Sequence, residues 1–226
     1  MELLQIVFII ITLVAVGLFY VATGFDKRLL GFYAVWLAIT AILPISGFLQ
    51  NTDAVPPRVL LVLLPAFLSV VILVRAMRSR VINQRYLLAI HGLRLPVELV
   101  LHQLYLQGKV PVIMTYEGWN FDILVGISAL ILLLYSFIKG KGINPMLFKV
   151  WNIIGIVFLS IIVVVAIFSA PLAFQQLAFE QPNVAVLQFP YTYLPAVVVP
   201  IVLSAHLLGL KLGIGTKSVN RSERLV

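Results

Sequence analysis

Six polar side chains between positions 84 and 105 carry most of the chemistry this sequence offers: Gln84, His91, Arg94, Glu98, His102 and Tyr105. At about 100° per residue they fall within about 80° of arc, on a helix whose remaining face is mostly leucine, valine and isoleucine. Arg94 and Glu98 stand one turn apart, near enough to pair, and His102 stands one turn beyond Glu98. An arginine, a carboxylate and an imidazole in that order can hold an ion and pass a proton. Glu117, Asn120 and Asp122 follow in the segment 116–122, at the level expected for His102, and form a candidate acidic cup. His91 is expected roughly 10 Å from the inner end of its helix and His206 roughly 9 Å from the inner end of the last helix, so the two could meet.

Read as a substrate or ion pathway, the set is Arg94, Glu98, His102, Tyr105, Glu117, Asn120, Asp122, His91 and His206. Imidazole and carboxylate also suit zinc or another divalent cation, for which Glu98, His102, Glu117 and Asp122 are the candidate ligands.

These groups lie in a chain that water does not suit. Of its 226 residues 62% are hydrophobic and 11% charged, and its mean hydropathy is +1.11, too little polar surface to coat a soluble globule. The expected solvent is a lipid bilayer, most simply a bacterial inner (plasma) membrane. The formal charge of +8 then reflects lysine and arginine held beside an anionic leaflet rather than a nucleic-acid partner. With no cysteine, disulfides, thiolate catalysis and thiolate metal sites are excluded. In hydrocarbon each unpaired charge would cost at least about 2.5 to 3.5 kcal/mol, so the polar stripe must face the bundle interior or water. Pro96 lies inside the stripe and frees the carbonyl of Gly92, which predicts a bend beside the charged groups.

Hydropathy and charge predict an all-α bundle of seven membrane helices over 3–22, 30–49, 59–77, 81–106, 119–138, 147–168 and 191–212, with a short basic tail over 213–226. The polar 81–106 counts as a crossing because of charge parity. With it, Lys27 and Arg28, then Arg75, Arg78, Arg80 and Arg85, then Lys139, Lys141 and Lys149, then Lys211, Lys217, Arg221 and Arg224 all lie in the cytoplasm. Only Arg58 and Lys109 remain outside and Arg94 within the membrane. The N-terminus is then external and the C-terminus cytoplasmic. The first helix is expected to be retained, since its basic pair follows the apolar run instead of preceding it.

A faint repeat relates the two sides of the fourth helix. Tyr20 and Trp36 match Tyr135 and Trp151 at a constant spacing, and Pro65, Ser69 and Arg75 match Pro200, Ser204 and Lys211. A 3+1+3 parallel arrangement of this kind would place a cavity between the halves. The segment 169–183 is expected to lie on the bundle as a lid, with Phe174, Leu177 and Phe179 packed downward and Gln175, Gln176 and Glu180 at the cavity mouth.

In count and orientation the expected bundle is similar to microbial rhodopsins, to SWEET-type sugar transporters and to seven-helix hydrolases of the ceramidase and adiponectin-receptor kind. Its residues assign it to none of them. Every lysine sits in a loop or at a helix end, so no retinal Schiff base is expected; SWEET signatures are absent; and the last helix carries His206 alone, where those hydrolases have a histidine pair. No nucleotide-binding or His-Glu-x-x-His motif occurs.

The leading expectation is a transporter or channel for a small solute or ion. The alternatives are a metal-dependent intramembrane hydrolase acting on a lipid-like substrate, and a membrane sensor or structural partner subunit. Because the chain has no cysteine, the topology is directly measurable. Lys109→Cys should react with an impermeant maleimide from outside intact cells, and Lys141→Cys only after permeabilisation; the reverse pattern would invert the orientation.

Overall fold

The computed structural model describes residues 2–77 and 82–219, without the side chains of 213–219. Arg78, Arg80 and Val81 and the tail residues Arg221 and Arg224 lie outside the described residues. Among the described residues the chain is helical, without a β-strand. In order the helices are α1 (Leu3–Ala22), α2 (Lys27–Ile45), α3 (Leu60–Ala76), α4 (Gln84–Gly92), α5 (Arg94–Leu106), α6 (Asp122–Ile138), α7 (Pro145–Ser169) and α8, which opens with a π turn at Leu194–Val198 and continues over Val199–Val219. Four are long and apolar enough to cross a membrane: α1, α2, α7 and Leu194–Leu212 of α8. The apolar α3 and α6 are shorter.

The ends differ from expectation for local reasons. α2 starts at Lys27 instead of 30 because the Asp26 side chain accepts from the Arg28 amide, satisfying a donor with no partner inside the helix. It stops at Ile45, just past Pro44, and Phe48–Gln50 forms a separate 3-10 turn after Gly47 in the left-handed region. α7 gains two residues at its start, where Asn144 caps the amides of Met146 and Leu147 and Pro145 takes the first helical position. α6 starts at Asp122, not at 119, and the expected tail continues α8 as helix to Val219.

The expected single helix over 81–106 is two. α4 starts after Asn83, whose side chain accepts from the Arg85 amide, and ends at Gly92; α5 resumes at Arg94, with Leu93 between them. Pro96 sits in the first turn of α5, where its missing N–H is least costly. The bend expected beside the charges is therefore a break.

At the centre, α4 packs against α1, α6 and α8, and α8 packs against α3, α4 and α7. α7 lies along α8, whereas the expected counterpart pair, α2 and α3, makes no extended contact. α2 instead reaches α8 through one bond. Pro200 cannot donate to the carbonyl of Ala196, and the Trp36 indole N–H takes that acceptor at 2.9 Å. Trp36→Phe keeps the ring and deletes the donor. It should lower stability by roughly 1 to 3 kcal/mol, read as a lower Tm of the purified protein in detergent; an unchanged Tm would show that Ala196 finds another partner.

Candidate functional site

The charged groups of α5 lie inside the bundle, where Arg94 is 4% exposed and Glu98 1%. The expected Arg94–Glu98 pair is not the one formed. The ion pair of Arg94 is with Asp122 of α6, Nε to Oδ2 at 3.5 Å, without hydrogen-bond geometry. The approach depends on Gly126, one turn after Asp122 on the same face: a β-carbon there would strike the Leu95 amide and the Arg94 side chain. With only a hydrogen at Gly126, α6 comes close enough to bring Asp122 to the guanidinium. Glu98 is held by Asn120, whose Nδ2 donates to both carboxylate oxygens at 2.7 Å and to the Met114 carbonyl at 3.0 Å. Asn120 also accepts from the Asp122 amide, fixing the start of α6 over the cluster.

The expected acidic cup is thereby divided. Asn120 and Asp122 join the buried cluster, while Glu117 pairs with His102 at 2.9 Å on the exposed surface. The His102 ring stacks on Tyr116 at 4.8 Å and lies 5.9 Å from Tyr105. The four candidate metal ligands therefore occupy two places, Glu98 with Asp122 inside and His102 with Glu117 outside. Among the described residues no group of three or more His, Asp and Glu is gathered tightly enough to hold a metal ion.

Farther in, His91 and His206 do meet. Their rings stack with centroids 3.9 Å apart, and both are fully buried beside Trp151. The His206 Nδ1 is bonded to Asn152 Oδ1 at 2.9 Å. A β-carbon at Gly155 would overlap the His206 ring, and one at Gly209 would strike the Asn152 amide, so two glycines let α7 and α8 interlock here. Asn152 was not among the residues singled out from the sequence, although a lone amide within the apolar run 147–168 is a readable signal. Gln84, at the start of the stripe, does a structural job: its Oε1 accepts from the Ile143 amide, tying α4 to the α6–α7 turn.

Several of these buried atoms have no hydrogen-bond partner in the protein: both ring nitrogens of His91, Nε2 of His206, the three guanidinium nitrogens of Arg94 and Oδ1 of Asp122. They trace a line from α8 through α4 and α5 to α6.

At the Glu98 end this line opens into a cavity of about 110 Å³. Its walls are apolar, from Leu63 and Phe67 of α3, Val97, Leu101 and Leu104 of α5, Ile162, Val163 and Ala166 of α7, and Leu194, Pro195 and Val199 of α8. Glu98, Asn120 and Asp122 provide its polar end. α3 and α7 both lie on α8 but make no extended contact with each other, and Phe67 at the cavity wall is exposed.

The segment 169–183 covers this end of the bundle, with corrections in detail. Phe174 lines the cavity and Leu177 packs on the core, but Phe179 is exposed. Gln175 is spent on a local turn, bonding to the carbonyls of Leu177 and Ala178, and Gln176 and Glu180 are exposed. Gln181 does the fastening, donating to the carbonyls of Tyr105 and Val110. Those acceptors are presented by a Schellman-type end to α5 with Gly108 at φ +73.

Fold and site together define an all-helical protein with four helices of membrane-crossing length and a buried ionic cluster at the end of an apolar cavity. Residues 56–212 match the family described as Domain of unknown function (DUF8737), and the chain belongs to that family. No curated protein and no solved structure matches it. The matched region holds every residue of the buried cluster and the histidine pair.

Gly155→Ala should force the His206 ring aside and destabilise the protein by roughly 1 to 3 kcal/mol. Gly17→Ala, where a β-carbon meets nothing within 4 Å, should be neutral or slightly stabilising. Equal Tm values for the two variants would contradict the interlock.

Proposed function

We propose that this is a seven-crossing membrane protein, external at its N-terminus, that carries an amphipathic small molecule, with the apolar part of the cargo between α3 and α7 and its polar end at Glu98, Asn120 and Asp122. The single observation behind the reading is the union of an apolar cavity, flanked by two helices without extended mutual contact, with buried carboxyl groups at one end. A water-soluble solute would leave the apolar walls unused, whereas a molecule already dissolved in the bilayer could enter sideways. Helices of seventeen residues, α3 and α6, suffice for a crossing of the hydrocarbon near the short end of the usual range. The broken α4–α5 crossing reaches the same thickness in two pieces.

Movement of cargo needs points where helices can bend. The break at Leu93 lies one residue before Arg94, and the π turn Leu194–Val198 contributes Leu194 and Pro195 to the cavity wall. Both are irregularities next to the site, and irregular backbone inside a membrane protein is tolerated where it faces protein or a cavity. The unpartnered atoms of Arg94, His91 and His206 continue inward from the polar end and give a route along which a polar group or proton could pass.

A leaflet-exchange assay in proteoliposomes tests the reading. The wild-type protein should accelerate transfer of a fluorescent single-chain amphiphile between leaflets, and Ala166→Trp, which fills the cavity from its α7 wall, should reduce the rate to that of protein-free vesicles. Wild-type vesicles no faster than protein-free ones, or a plugged variant as fast as wild type, would overturn it.

A further inference from the structure

The polar end of the cavity has a definite charge character. One guanidinium, Arg94, faces two carboxyl groups, Asp122 at 3.5 Å and Glu98 one turn along α5. With both acids ionised the cluster carries one negative charge more than it can balance, in a setting where isolated charge is strongly disfavoured. The arrangement at the wall adds a direction. Glu98 and Asp122 line the cavity, whereas Arg94 stands behind them and does not. The donor beside the two acids, Asn120 Nδ2, is already committed to Glu98 and Met114; of the other donor-bearing residues that line the cavity, Asn183 bonds the Ala166 carbonyl and Tyr191, packed on Phe8, has an unpartnered hydroxyl. Asp122 is more than nine-tenths buried, and its Oδ1 has no partner. Beside Glu98 and Asp122 the wall therefore presents acceptor oxygen and, with both acids ionised, surplus negative charge.

Resting on the carrier reading above, we propose that the cargo is a monocationic amphiphile, a single alkyl chain bearing an ammonium group, whose nitrogen sits between Asp122 Oδ1 and the Glu98 carboxylate. The ammonium supplies donors that Asp122 lacks and the positive charge that makes the cluster neutral. A phosphate or carboxylate head would meet two carboxylates with Arg94 screened behind them. A hydroxyl head would satisfy Asp122 Oδ1 but leave the surplus charge uncompensated. The alkyl chain would lie along Leu101, Ile162 and Leu63 toward Phe67.

Binding to the full-length protein in nanodiscs decides among these heads when the tail is held constant. Dodecylammonium should bind at least about tenfold more tightly than dodecanol, the scale of a charge-assisted hydrogen bond, and dodecyl phosphate should be the weakest. Asp122→Asn should abolish the preference for ammonium while retaining dodecanol binding. If that variant does not fold, Glu98→Gln, which removes the other charge, is expected to have the same effect. Dodecyltrimethylammonium, which has charge but no N–H donor, should retain part of the preference. Equal affinity for the ammonium, alcohol and phosphate, or an ammonium preference untouched by a folded variant of either acid, would overturn the head-group assignment and leave the carrier reading standing. Failure of every dodecyl compound to bind, including at the wild-type site, would sink the carrier reading and the assignment with it.

Discussion

A guanidinium placed among apolar helices must be given a counter-charge, and the region around Arg94 is organised by that requirement. Asp122 is brought to it from another helix through the missing side chain at Gly126, and Glu98 follows it by one turn on its own helix. Asn120 divides its amide between fixing Glu98 and starting α6. These constraints lock α5, α6 and the loop between them into one unit. Removing one partner would leave the other buried without compensation, which is commonly more destabilising than never having had the pair.

Backbone groups obey the same rule. In hydrocarbon an unpaired carbonyl costs several kcal/mol, and the prolines of this chain create such carbonyls in the middle of helices. Pro200 frees the Ala196 carbonyl and Trp36 takes it from 160 residues away in sequence. Pro96 falls in the first turn of α5 because the helix has broken at Leu93, where fewer bonds are lost. Gln50 likewise donates to the carbonyls of Pro44 and Leu187, joining the end of α2 to the segment before α8. The carbonyl freed by Pro200 is thus matched by a side chain from a different helix, whereas at Pro96 the helix itself breaks.

Against that background the unpartnered atoms of His91, His206, Arg94 and Asp122 stand apart. The Tyr33, Ser169, Tyr191 and Ser204 hydroxyls are also buried without a partner, but the ring nitrogens and guanidinium donors left open are gathered along this line. The His91–His206 stack also has an unusual foundation, since two glycines, Gly155 and Gly209, have to give up side chains for it to fit.

Hydropathy, charge and proline position were enough to read the helical membrane character, the burial of Arg94 and Glu98 and an irregularity near Arg94, expected as a bend and found as a break, because each depends on residues close in the chain. The solvation cost of a side chain in lipid and the loss of an amide at proline do not depend on which helix lies next door. The pairing of Arg94 with Asp122, the separation of the outer His102–Glu117 pair from the buried acids and the cavity between α3 and α7 could not be read that way. They depend on the lateral order, rotation and depth of helices far apart in sequence, and an apolar face fits lipid or a neighbouring helix almost equally well. The small residues Gly126, Gly155 and Gly209 settle those choices by permitting close approach, and their effect exists only once the facing helix is in place.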